Sequence, residues 1–67
     1  MIRKNHSIWL AVDYDGVEKA FYYKPERCEK HGEWREGDKM VLPHGSIKKL
    51  IARELTWEDE PVELKEE

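Results

Sequence analysis

Apolar and polar residues alternate first in "SIWLAVD", where Ile8, Leu10 and Val12 occupy every second position. That period predicts a strand with one face buried. The "DYDG" that follows suits a tight reversal, because Asp and Gly tolerate the backbone angles a turn requires. "VEKAFYY" predicts the returning strand, with Val17, Phe21 and Tyr23 on one face and Ala20 and Tyr22 on the other. Pro25 ends it, since proline has no N–H to give to a ladder. Residues 7–24 are therefore expected to form a hairpin.

"PERCEKHG" is expected to be a polar connection. A second, shorter hairpin is expected from "EWRE" around Trp34, a turn at Gly37–Asp38, and "KMVLP" closed by Pro43. The period then changes. Ile47, Leu50, Ile51 and Leu55 stand at i, i+3, i+4 and i+8, which predicts a helix with all four on its buried face. Ser46 is placed to cap its first free N–H groups, and Lys48, Lys49 and Arg53 point outward. Pro61 requires the helix to end earlier, between Thr56 and Asp59. "PVELKEE" alternates Val62 and Leu64 with acids, as a short edge strand does, and residues 65–67 are expected to fray as an acidic tail.

The pattern of sheet, sheet, helix and strand predicts one α+β domain over residues 1–67. The expected architecture is a small twisted antiparallel sheet of four to five strands with one packed helix, an open barrel being the alternative. A chain of 67 residues has room for one core and for no deep enclosed site. Its single cysteine, Cys28, cannot form an internal disulfide. The apolar run Ile8–Val12 is too short for a signal peptide, and no segment approaches the roughly 20 apolar residues of a membrane span. The expectation is a cytoplasmic protein with no membrane partner.

The formal net charge of −3 is unevenly spread: residues 1–35 carry seven Lys/Arg against six Asp/Glu, and residues 36–67 carry five against nine. A nearly neutral first half and an acidic second half argue against broad phosphate-backbone binding, which needs a basic face.

"SIWLAVD", the Tyr-rich second strand, the central Gly-x-Trp and Gly-Asp, and above all "GSIKKLI" to "TWEDEPVEL" together resemble a group of short uncharacterised proteins from gut bacteria and their phages. The resemblance spans nearly the whole chain. It implies an accessory or phage-derived gene and carries over no activity, cofactor or site residue.

Candidate chemistry is sparse. Cys28 and His31 have a C-x-x-H spacing, but structural zinc needs four ligands, and His6 and His44 lie in separate elements. The plainer reading is a loop cysteine and a turn histidine. A Cys28 nucleophile with His31 or His44 as base would lack an orienting third group and an oxyanion loop. The four glycines are isolated, so no phosphate-binding loop is present. No catalytic residue, metal or cofactor is assigned, and the chain is read as non-enzymatic.

Contact surfaces are the remaining candidates. Trp9 faces away from the Ile8/Leu10/Val12 set, so with Ala11 and either Ala20 or Tyr22 it lies on the sheet's open face, unless the sheet curls over it. Such a cluster marks a protein contact or a homodimer seam. Trp57 falls near the apolar stripe and is expected to fold back on the core. "TWED" is placed to start its own turn, with Thr56 as cap. The sharper reading makes Trp57, Glu58 and Asp59 an acidic contact for a basic protein surface. The favoured function is a small protein–protein binding module. Its rival is a single-stranded nucleic-acid binder using Tyr22, Lys24, Trp34 and Arg35. The expected partner-binding residues are Trp9, Tyr22, Trp34, Arg35, Trp57, Glu58 and Asp59.

Overall fold

A computed structural model describes the backbone of residues 6–66 and the side chains of residues 7–64. The elements in order are β1 (His6–Val12), β2 (Glu18–Phe21), β3 (Glu26–Cys28), β4 (Glu33–Arg35), β5 (Lys39–Leu42), α1 (Ser46–Ile51) and β6 (Val62–Glu66). The fold is α+β, as the pattern predicts. Its main sheet is antiparallel in the order β5-β2-β1-β6, and β3 and β4 form a separate two-stranded sheet. The main sheet is open, not a closed barrel.

The first hairpin forms, with Leu10 opposite Ala20 and Trp9 opposite Phe21, but its second strand ends at Phe21 and leaves Tyr22 and Tyr23, expected within it, exposed in a bend. That register corrects one assignment: Ala20 shares the face of Leu10, and Phe21 shares the face of Trp9. The second hairpin does not form as expected. β4 pairs with β3, inside the segment expected to be a polar connection, and β5 pairs with β2. The reason is burial. Trp34 is 3% exposed and packs with Phe21 and Ala11 on the far face of the main sheet, so its strand cannot share that sheet with β5.

Both faces of the main sheet are therefore covered. Leu10, Val12 and Ala20 pack with Ile47 of α1 and with Leu55. Ala11, Phe21 and Trp34 form the second cluster, with Trp9 and Trp57 packed against it. The aromatic face expected to be open is closed by β4 and Trp57.

The helix is shorter than its pattern. It runs six residues and stops at Ala52, which is left-handed at φ 66 and closes the turn by donating its N–H to the Lys48 carbonyl. Ile47 and Ile51 turn inward, whereas Leu50 is 51% exposed, against expectation. Leu55 reaches the core through the chain reversal at Ala52, not as a helical position.

Ser46 does not cap the helix; its hydroxyl donates to the Pro43 carbonyl at 2.7 Å. The cap comes from β2. Glu18 accepts the Gly45 N–H at 2.7 Å and the Ile47 N–H at 2.9 Å, which ties the helix start to the sheet. Gly45 is left-handed at φ 94, a conformation that favours glycine.

At the far edge β6 pairs with β1 along its length, Val62 opposite Leu10 and Leu64 opposite Ile8. It runs through Glu66, two residues into the tail expected to fray, and Glu67 lies outside the described residues. Among the described residues no helix is long and apolar enough to cross a membrane.

Candidate functional site

The second layer is hung on one aspartate and one tryptophan. Asp13 directly follows β1 and is 5% exposed. One of its carboxylate oxygens accepts the Trp34 N–H at 3.0 Å, and the other meets the Lys19 ammonium at 2.6 Å. The Trp34 indole N–H donates to the Val12 carbonyl at 2.9 Å. Next door, the Tyr14 N–H donates to the Gly32 carbonyl at 2.9 Å. Gly32 is left-handed at φ 65, and a Cβ there would stand 3.0 Å from the Tyr14 Cβ, so both backbone angle and close approach call for glycine.

Trp34 carries a stack outward. The Arg27 guanidinium carbon lies 4.7 Å from the Trp34 ring centre and 4.9 Å from that of Trp57, within cation–π range of both. Arg27 also donates to the carbonyls of Trp57 at 2.9 Å and Asp59 at 3.3 Å, which holds the 57–59 turn against β3. Trp57 packs at a tilt on Trp34, 5.7 Å between ring centres, and edge-on to Tyr14 at 6.3 Å. It folds back on the core and is half-buried. The "TWED" turn forms as expected: Thr56 Oγ1 accepts the Glu58 N–H at 3.3 Å, and Asp59 accepts the Thr56 N–H at 2.8 Å.

Between this stack and α1 lies a cleft of about 460 Å³. Its base is apolar, from Val12, Ile47 and Leu55. Tyr14 and Trp57 line it, and Glu54 and Glu58 add exposed carboxylates. His44 and Lys48 stand at its helix end. Glu18 borders it with a carboxylate already engaged. Burial raises the Glu18 pKa, but the hydrogen bonds from Gly45 and Ile47 outweigh burial and hold it below the ordinary carboxylate value.

The expected contact residues divide. Trp34, Trp57 and Glu58 come together at or beneath the cleft, and Asp59 braces its turn. Trp9 packs on the same buried cluster without lining the cleft, with the Lys24 ammonium 5.8 Å from its ring centre. Tyr22 is exposed in the bend after β2. Arg35 is bound to Glu33 through Nε at 2.9 Å and a terminal nitrogen at 2.8 Å, and this contact lowers the Glu33 pKa. Trp34 is core and presents no ring face to solvent.

Sequence reasoning missed Tyr14 and Glu54, and it weighed Arg27 only as one base of the aromatic and basic set Tyr22, Tyr23, Lys24, Arg27, Trp34 and Arg35. Tyr14 reads only as part of a turn, and Arg27 as a base on a polar connection with nothing to say that it stacks between two tryptophans. The one signal was Arg27 itself, a base with Trp34 and Trp57 elsewhere in the chain.

Cys28 Sγ stands 3.3 Å from His31 Nδ1, as the C-x-x-H spacing allows. Among the described residues no group of three or more His, Cys, Asp and Glu is placed to hold a metal ion. No family model, curated protein or solved structure matches the chain.

Proposed function

We propose that this chain is a non-enzymatic protein-binding module and that its contact surface is the Tyr14–Trp57 cleft. The partner is a basic segment, whose Lys or Arg side chain lays its apolar stem on Val12, Ile47 and Leu55 and its charged head against Glu54 and Glu58. The observation that carries this reading is the combination of an apolar base, two aromatic walls and a carboxylate rim in one open cleft. Long cationic side chains match such a surface, because their stems are apolar and their ends are charged. The aromatic rings add cation–π attraction.

The test is a titration with a short lysine- and arginine-rich peptide, read by tryptophan fluorescence and amide NMR shifts. Shifts are expected at Tyr14, Leu55 and Trp57 and not with a glutamate-rich peptide of equal length. The double reversal Glu54→Lys with Glu58→Lys is expected to weaken binding by at least about tenfold, a change of roughly 1.4 kcal/mol. Equal response to both peptides, or binding that survives the reversal, would sink the reading.

The nucleic-acid alternative draws on a different patch. Tyr22, Tyr23 and Lys24 are consecutive and exposed, and Lys24 lies over Trp9. Trp34 and Arg35 lend it no support, being buried and ion-paired respectively. Low-salt anisotropy of a labelled single-stranded oligonucleotide, lost on Lys24→Ala, would favour it; an unchanged signal would remove it.

A further inference from the structure

We propose that the outer edge of β5 pairs with β5 of a second copy, antiparallel about a two-fold axis at Val41, joining two four-stranded sheets into one of eight. This rests on β5 and the residues flanking it, and does not depend on what the cleft binds. β5 is an outer strand, bonded only to β2. Its two central side chains are large, apolar and exposed, Met40 at 48% and Val41 at 65%. They lie on opposite faces, Met40 opposite Ala20 and Val41 opposite Lys19. Edges of this kind are ordinarily guarded by charges, proline or a bulge within the strand. β5 has one charge, Lys39 at its start, and Pro43 directly past its end, which leaves Met40, Val41 and Leu42 between them without a guard. The opposite edge shows the usual guard: β6 reads "VELKE", three charges in five residues, which disfavours an open-ended β5-to-β6 assembly.

The β5 sequence is complementary to itself. A two-fold normal to the sheet sets a residue opposite its own copy. Centred on Val41, it pairs Val41 with Val41 and Met40 with Leu42, all apolar. It sets the Lys39 stem against Pro43 and, one step further, the Asp38 carboxylate opposite the His44 imidazole. Centred on Met40, it would set Lys39 against Val41 and Asp38 against Leu42. Hydrophobic matching selects the first register. A strand this short buries little area, so the dimer belongs at the weak end of protein interfaces.

Sedimentation velocity on the full chain, from micromolar to millimolar, is expected to show a concentration-dependent dimer. Val41→Lys sets like charges directly opposite each other and is expected to raise the dimer dissociation constant at least about tenfold. Val41 is exposed, so an unchanged circular dichroism spectrum should confirm that the variant folds. In a Cys28→Ser background, Val41→Cys is expected to cross-link under mild oxidation faster than Lys30→Cys, a turn position away from β5. Cross-linking no faster than at Lys30, or a dimer that Val41→Lys leaves intact, overturns the proposal.

Discussion

Asp13 shows how much one residue can organise. It closes the β1–β2 turn by taking the Val17 carbonyl on its own N–H, accepts the Trp34 N–H, and pairs with Lys19, itself 8% exposed. A buried pair is poor evidence of net stabilisation, because desolvation offsets the attraction, but removing one partner strands the other charge. Lys19→Met is therefore expected to destabilise by about 3–5 kcal/mol at neutral pH, measured by urea denaturation. The double variant Lys19→Met, Asp13→Asn should recover part of that loss. Equal losses for the single and double variants would show that the stranded charge is not the cause. None of this was legible in sequence. "DYDG" announces a turn, but nothing local says that Asp13 turns inward or that the lysine opposite Ala11 meets it. Trp34 was legible as a strand residue that is either core or contact, but its anchoring was not, since its partners, Val12 and Asp13, lie more than twenty positions away.

At the scale of the element, the helix is where pattern and structure part. The i, i+3, i+4, i+8 spacing describes a helix of about two and a half turns from Ile47 to Leu55, yet α1 ends after Ile51. Two contacts decide its limits. Glu18 fixes the start, supplying from another strand the acceptors that Ser46 was expected to provide. Because its folded pKa is lowered, its contribution is fully present above the ordinary value of 4.5 and is lost as pH falls through the folded value. Glu18→Gln should thus lower stability at neutral pH by about 1–3 kcal/mol and flatten the acid limb below pH 4.5. An unchanged acid limb in a pH series of melting curves would assign acid sensitivity elsewhere. Ala52 fixes the end in a left-handed conformation that costs an L-residue roughly 1–2 kcal/mol. Its side chain is a single exposed methyl group, so glycine forfeits little. Ala52→Gly is expected to stabilise the chain by about 1 kcal/mol, seen as a higher denaturant midpoint at unchanged slope. A lower midpoint would mean that the helix end is not held in this conformation.

Across the whole molecule, the alternation of Ile8, Leu10 and Val12 and the turn residues sufficed for the first hairpin, the β6 edge and the α+β class. The pairing of β4 did not follow, because two short strands with polar neighbours carry no signal of which partner they take. The second layer depends on the long-range contacts of Trp34, Arg27 and Trp57, and so does the cleft. This has a consequence for unfolding. The β3–β4 hairpin holds only six strand residues and is joined to the main sheet through Trp34, the Tyr14–Gly32 bond and the Arg27 stack. A two-stranded hairpin is marginal by itself, and the main sheet without it exposes Phe21 and Ala11. The two sheets should therefore unfold together. Far-ultraviolet dichroism and tryptophan fluorescence are expected to give coincident denaturation curves. Trp34→Phe, which removes the hydrogen bond to Val12 and keeps most of the ring, should shift both curves together by about 1–3 kcal/mol. If fluorescence changed first while the dichroism of the main sheet persisted, the hairpin would be a separable flap and the cleft beside it a surface that opens.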